Sequence, residues 1–255
     1  MVELKTPSEI ALMREAGRVV AQALTAVRER AAVGVSPKEL DDVAGQVIAD
    51  AGATSPFLGY VPGFAKTPYP AVTCISVNDA IVHGIPGAEP LAEGDLVSVD
   101  CGAVLGGWCG DSAISFTVGA ADPADTALME ATRRAMHAGI AAAVPGAKMG
   151  DVSAAIGEVG RAAGYGLLAG WGGHGIGRSM HEDPHVPNEG PAGRGLRLRA
   201  GLVIAIEPMF NIGGRDDSRL DTDGWTLRTT DGTRAAHFEH TIAVTEDGPR
   251  ILTAL

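Results

Sequence analysis

The sequence predicts an α+β fold in which a single domain, residues 1–255, is built from two similar halves. Three observations support this. Helical segments open each half, apolar segments typical of strands follow them, and in each half one such strand runs into a carboxylate. A chain of 255 residues with 45% hydrophobic content can bury the core that one large domain needs.

Three helix starts pair a capping side chain with proline at the first helical position. They lie at Thr6–Pro7, Ser36–Pro37 and Asp122–Pro123. Helices are predicted over residues 7–29, 37–51 and 123–143, with a fourth over 150–163. Most of the remaining chain is predicted to form strands.

The two halves resemble each other in register. "GVSPKELDDVAGQVIADAG" from Gly34 and "GAKMGDVSAAIGEVGRAAG" from Gly146 keep glycine at both ends, and "GDLVSVD" from Gly94 parallels "GLVIAIE" from Gly201. A period above 100 residues indicates a duplicated half-domain and excludes a solenoid of short repeats. Chance similarity between two αβ segments is the alternative.

The segment "LVSVDCGAVLGGWCGDSAISF" predicts two strands joined by a tight turn. A turn centred on Leu105–Gly106 would place Asp100 directly opposite Asp111 on one sheet face. Carboxylates that face each other repel, so this arrangement indicates a cation between them. The alternative is a bulge that separates the two acids and leaves both in solvent.

Further candidate ligands lie in the second half. Glu207 ends the strand "GLVIAIE", Glu239 interrupts "HFEHTIAV", and His174 lies in the glycine-rich segment "GWGGHGIGRSMHEDPHVPN". With Asp100 and Asp111 they make four carboxylates and one imidazole, which suits two bridged divalent ions such as Mn, Fe, Co or Zn. Such a metal pair activates water, and we therefore expect hydrolysis of an acyl bond.

The chain resembles the type I methionine aminopeptidases, which have the pita-bread fold, over nearly its whole length. The motifs that carry the resemblance are "VNDAIVHGIP", "VSVDCGAVLGGWCGD", "GGHGIGRSMHEDP", "AIEPMF" and "FEHTIAVT". The resemblance implies a curved antiparallel sheet with helices outside it. It also implies removal of the initiator methionine from nascent proteins whose second residue is small.

The resemblance assigns roles to individual residues. It makes five residues the ligands of two divalent ions: Asp100, Asp111, His174, Glu207 and Glu239. Asp111 and Glu239 would bridge the two ions, and Glu207 would also be catalytic. His83 would lie near the nitrogen of the scissile peptide bond, and His181 would donate to its carbonyl oxygen as negative charge develops there.

The resemblance also implies an apolar pocket for the methionine side chain. Its predicted lining is Phe57, Tyr60, Tyr69, Cys74, Met180 and Trp225. Thioethers and aromatic rings interact favourably, which suits this composition. The segment "VPGFAKTP", residues 61–68, is longer than expected for the family, so the position assigned to Tyr69 could belong to Phe64.

Four histidines match no ligand position: His137, His185, His237 and His240. We interpret them as supporting or surface groups. The three cysteines, Cys74, Cys101 and Cys109, are an odd and sparse set, which favours free thiols in a reducing compartment.

Composition limits the partners and the location. The net charge of −11 argues against direct binding of nucleic acid or of an anionic membrane. With no apolar leader in "MVELKTPSEIALMREAG" and no segment long enough to span a bilayer, we expect a cytoplasmic protein. We also expect it to be a monomer. Its expected partners are nascent polypeptide N-termini and, transiently, the ribosome.

Two other functions are compatible with parts of the pattern. An Xaa-Pro dipeptidase has the same ligand composition but usually carries an N-terminal domain, for which the helix starting at Pro7 leaves no room. A binding module without catalysis is expected to lose ligands, whereas all five ligands and both helper histidines are present here.

Overall fold

The computed structural model describes residues 2–255. Its helices are α1 (Pro7–Arg30), α2 (Pro37–Asp50), α3 (Pro123–Ala142) and α4 (Met149–Ala162). All four predicted helices are confirmed, and the three proline-headed ones begin at the predicted residue. None of the helices within residues 2–255 is long and apolar enough to cross a membrane.

Local capping explains these starts. The side chain of Thr6 accepts a hydrogen bond from the backbone of Glu9, whose carboxylate accepts one in return from the backbone of Thr6. Ser36 and Glu39 form the same reciprocal pair at α2. At α3 the Asp122 carboxylate accepts a hydrogen bond from the backbone N–H of Ala124.

The strands are short and lie mainly in one sheet. Their bounds are β1 Thr73–Val77, β2 Ala80–Val82, β3 Leu96–Leu105, β4 Trp108–Thr117, β5 Gly166–Leu167, β6 Gly172–Gly175, β7 Glu182–Pro187, β8 Val203–Ile206, β9 Met209–Asn211, β10 Ser218–Leu220, β11 Leu227–Thr229, β12 Ala235–His237, β13 Glu239–Thr245 and β14 Gly248–Ile251.

The main sheet has the strand order β1-β3-β4-β13-β8-β6-β7, with β14 paired to β13, and all its pairings are antiparallel. Read outward from the central pair β4–β13, one side is β4, β3, β1 and the other is β13, β8, β6. Up to β6, each side therefore runs backwards along its own half of the chain, and β7 lies beyond β6 at the edge. This order matches the two-half organisation predicted from the repeat.

The helices cover one face of this sheet. Helices α1 and α2 pack on the first half, where Val97, Val99 and Cys101 of β3 point into their apolar cluster. Helices α3 and α4 pack in the same way on the second half around Ile204 and Ile206 of β8. Side chains alternate along a strand, so the residues between these, including Asp100, point to the opposite face.

The predicted register of the β3–β4 hairpin is wrong by one position in its turn. The loop consists of Gly106 and Gly107, which both have positive φ, 58° and 78°. Two-residue hairpin loops favour glycine there because both central residues take left-handed conformations. Asp100 is consequently opposite Ala113, and Asp111 is opposite Gly102. The offset is two residues along the strand, so both acids still point to the same face.

Candidate metal centre

The structure brings the five predicted ligands to one cavity of about 230 Å³ on the face that the helices leave free. Asp100 is on β3, Asp111 on β4, Glu239 at the start of β13, Glu207 directly after β8 and His174 on β6. These five strands are consecutive neighbours in the main sheet. Residues far apart in sequence are therefore held together by strand pairing, without long loops.

His174 is oriented to present one nitrogen to the acids. Its Nδ1 lies 2.8 Å from the carbonyl oxygen of Gly175, which only accepts hydrogen bonds, so Nδ1 carries the proton. Its Nε2, with a free lone pair, is 3.6 Å from Oδ2 of Asp111 and 3.7 Å from Oε1 of Glu207. Atoms of Asp111, His174 and Glu239 lie within 4.8 Å of one another, a spacing that allows all three to bind one ion.

Burial makes the acids costly to ionise without a cation. The pKa of Asp100 and that of Glu239 are raised well above their usual values, first by burial and then by the charge of Asp111. Burial also raises the pKa of Asp111 to about 7 and that of Glu207 to about 8. Among residues 2–255, no lysine or arginine forms an ion pair with these four acids.

The unpaired atoms fit divalent metal ions. Within the described chain, Oδ1 of Asp100, Oδ1 of Asp111 and Oε1 of Glu239 are buried without a hydrogen-bond partner. Buried polar groups are normally satisfied, so such a cluster of bare oxygens calls for cations. Four carboxylates with one imidazole are a donor set for divalent metal ions, whereas structural zinc favours thiolates.

Two further histidines reach the same cavity. His83 follows β2 with a left-handed φ of 61°, which a residue other than glycine rarely adopts and which is typical of functional sites. His181 lies beside His174, with ring centroids 4.3 Å apart. Burial lowers the pKa of His83 to about 4 and that of His181 to about 3. At neutral pH both imidazoles are uncharged and can donate an N–H.

Most of the predicted methionine pocket lines the cavity. Its lining includes Phe57, Tyr60, Tyr69, Cys74 and Trp225. Met180 is placed differently: it lies behind the wall, in the apolar cluster that contains Phe57 and Cys74. Its predicted contact with substrate stays a prediction. Burial raises the pKa of the Cys74 thiol, so this group faces the cavity uncharged.

Phe64 and Trp171 complete the aromatic wall. The Phe64 ring stacks on His83 with centroids 5.8 Å apart and an interplanar angle of 13°. Trp171 meets the same imidazole edge-on at 5.1 Å, and Tyr60 stacks on His181 at 5.4 Å. The sequence predicts Phe64 only as an alternative to Tyr69, and it does not predict Trp171. Its place three residues before a ligand, in the glycine-rich segment, was the available signal.

Backbone bonds hold the segment that carries Phe64. The backbone N–H of Tyr69 donates a hydrogen bond to the carbonyl oxygen of Tyr60 at 2.9 Å, which closes residues 60–69 into a loop. Nε1 of Trp225 donates to the carbonyl oxygen of Thr67 at 3.2 Å and ties the far side of this loop to the cavity wall. The segment 61–68 is therefore held beside the cavity, which Pro62 and Phe64 line.

Known proteins resemble this chain over nearly its whole length. The model of metallopeptidase family M24 matches residues 11–246. The chain belongs to that family. This M24 peptidase is 55% identical to methionine aminopeptidase 1 of Mycobacterium tuberculosis, over 99% of the chain and 95% of that relative. The crystal structure of methionine aminopeptidase from Thermotoga maritima superimposes with a TM-score of 0.95 at 41% identity, and each chain covers 100% of the other.

The comparisons also confirm the predicted pita-bread fold. Prolidase from Pyrococcus furiosus matches 99% of this M24 peptidase with a TM-score of 0.77, but only 65% of the prolidase chain is covered. At 23% identity this likeness shows the fold alone. The fold is therefore common to both enzyme groups, and the choice between them depends on the full-length relatives and the site.

Proposed function

We propose that this chain is a methionine aminopeptidase, which hydrolyses the first peptide bond of a polypeptide that begins with methionine. The observation that carries the proposal is the convergence of five metal ligands and two uncharged histidines on one aromatic cavity. Full-length relatives named methionine aminopeptidase, at 55% and 45% identity, support it. A binding module without catalysis would have no need of this complete set.

The five ligand residues would hold two divalent ions. When bound, the ions supply a water molecule that is nucleophilic at neutral pH and polarise the scissile carbonyl. Asp111 and Glu239, on the adjacent strands β4 and β13, would be the two ligands that the ions share. We propose Mn, Fe(II), Co or Zn as candidates, since all four accept carboxylate and imidazole donors.

The protein side chains then divide the work on the substrate. His181 donates its N–H to the carbonyl oxygen as charge develops, and His83 lies where it can bond the nitrogen of the scissile bond. Because both are uncharged, they add no positive charge that would repel the cations. Glu207, at the edge of the cavity with 16% of its side chain exposed, can take the proton that the attacking water loses.

The aromatic wall accounts for the substrate. A cavity of about 230 Å³ lined by Phe57, Tyr69 and Trp225 takes an unbranched thioether chain. Phe64, stacked over His83, occupies space beside the proposed position of the second residue, so a small second residue is favoured. This substrate suits a cytoplasmic enzyme that acts on nascent chains at the ribosome, and we propose that it acts there as a monomer.

Peptide cleavage after metal removal tests the proposal. The purified protein is stripped of metal and assayed on Met-Ala-Ser and Met-Lys-Ser with Mn, Co, Zn or, under anaerobic conditions, Fe(II). We expect metal-dependent release of methionine and a preference of at least about tenfold for the alanine peptide. Glu239→Gln serves as the inactive control. Equal turnover of both peptides, or faster release of an N-terminal leucine, would refute the proposed specificity.

A further inference from the structure

His237 lies against the metal centre although it matches no predicted ligand position. It is the last residue of β12, and only 2% of its side chain is exposed. Its Nε2 is 3.8 Å from Oε2 of Glu207 and 3.9 Å from Oε2 of Glu239. Within residues 2–255 this nitrogen has no hydrogen-bond partner. A buried, unpaired nitrogen directed at two acids indicates a function.

The carboxylate of Glu207 lies between two imidazoles. Its Oε1 faces Nε2 of His174 at 3.7 Å, and its Oε2 faces Nε2 of His237 at 3.8 Å. An N–H···O bond measures roughly 2.7–3.2 Å, so a movement of about 1 Å would bring Nε2 of His237 into bonding range. One oxygen would then remain for metal while the other is held by protein.

The backbone of His237 is fixed in a way that favours such a role. The hydroxyl of Ser115 on β4 accepts a bond from the His237 N–H at 2.9 Å and donates one to its carbonyl oxygen at 2.7 Å. These bonds tie β12 to the strand that carries Asp111. The backbone from which the imidazole extends is therefore anchored beside the ligand carboxylates.

We propose that His237 is a positioning residue of the metal centre, which donates its Nε2–H to Oε2 of Glu207 and so leaves Oε1 as the ligand oxygen. The inference rests on the proposed function, because it requires the acids to bind divalent ions. Groups that hold a ligand from outside fix its orientation, and their loss typically lowers metal affinity about 10–100-fold. His237 uses one nitrogen for this purpose and binds no ion itself.

Two variants test the role through metal binding. His237→Leu removes the donor, whereas His237→Gln retains an N–H donor. The stripped proteins are titrated calorimetrically with Mn²⁺, and the absorption spectrum of each Co²⁺-loaded protein is recorded. We expect the leucine variant to bind Mn²⁺ about 10–100-fold more weakly. The glutamine variant should stay within about threefold of native, with an unchanged Co²⁺ spectrum.

The matched control is His240→Leu, which removes a partly buried imidazole from the same region. His240 bonds Thr253 at 2.8 Å and lines a different groove, so its loss should leave Mn²⁺ affinity unchanged. Thermal melting of each stripped variant checks that it is folded.

Three results would overturn the inference, and they are distinguishable. Native affinity in His237→Leu would show that the residue has no role in the site. Equal losses in both variants, with a shifted Co²⁺ spectrum in His237→Gln, would make it a metal ligand. A native protein that binds neither Mn²⁺ nor Co²⁺ would refute the proposed function along with it.

Discussion

Replacing Glu207 with glutamine should stabilise the metal-free protein while it weakens metal binding. The pKa of this carboxyl is raised from 4.5 to about 8, mainly by burial; the charge of His174 opposes the rise, and the charges of Asp111 and Asp100 add to it. The folded chain therefore holds the proton more tightly than the unfolded chain. The stability of the metal-free protein should consequently fall as pH rises from about 4.5 towards 8.

The pKa sets the size of the effect. Each tenfold difference in proton affinity between the folded and unfolded chain corresponds to about 1.4 kcal/mol. Near pH 7.5 the glutamate therefore lowers the free energy of unfolding of the metal-free protein by at most about 4 kcal/mol. Because the charge of Glu207 interacts with those of the neighbouring acids, we expect Glu207→Gln to raise the free energy of unfolding by about 2–4 kcal/mol. In a protein of this size that raises the melting temperature by roughly 5–10 °C.

Thermal melting of the stripped proteins at two pH values measures the effect. The variant should melt well above native near pH 7.5. Near pH 5 the gap should shrink to about 1 kcal/mol or less, because this pH is close to the unfolded pKa of 4.5 and the unfolded chain then gains little by ionising the carboxyl. Glu158→Gln, at an exposed position of α4, is the charge-matched control and should leave the melting temperature unchanged. Equal melting temperatures for Glu207→Gln and native near pH 7.5, or a gap as large near pH 5, would refute this reasoning.

Three further predictions concern the assigned roles. Asp111→Asn and Glu239→Gln should each lower turnover at least about 100-fold and reduce bound metal. The reason is that removal of a shared ligand charge leaves the other charges uncompensated. A variant with native metal content and turnover would contradict this. His174→Ala should lose metal, whereas His181→Ala should keep metal and substrate affinity and lose about 10²–10³ in kcat. A metal-free His181→Ala protein would exclude its role as a helper. Phe64→Ala should open the cavity entrance and raise kcat/KM for peptides with a larger second residue about tenfold relative to Met-Ala-Ser. Unchanged selectivity would show that this ring does not limit the second residue.

Features set by local interactions were the ones that the sequence predicted best. The helix starts at Pro7, Pro37 and Pro123 depend on a capping side chain within three residues, so they could be located without any tertiary information. The acids Asp100 and Glu207 were also recognisable, since each ends or interrupts an apolar strand. The ligand set as a whole came from the family resemblance together with these local patterns.

Features that depend on long-range contact were predicted less well. The predicted hairpin turn is one residue early: a two-residue loop favours left-handed residues at both positions, which Gly106 and Gly107 satisfy and Leu105 does not. The stacking of Phe64 on His83 depends on how a long loop folds over the sheet, and no local pattern encodes that. The approach of His237 to Glu207 likewise joins separate strands whose pairing the sequence does not reveal.

The boundary between the two halves of the sheet runs through the metal centre. Asp111 lies on β4 and Glu239 on β13, the two strands where the halves meet. Neither half alone has the five ligands, so the full affinity for metal exists only once the halves have docked. Bound ions should therefore stabilise the contact between the two halves. At a free concentration a hundredfold above Kd, each ion stabilises the docked state by about 2.7 kcal/mol. Since this stabilisation comes after docking, metal should slow unfolding more than it speeds folding.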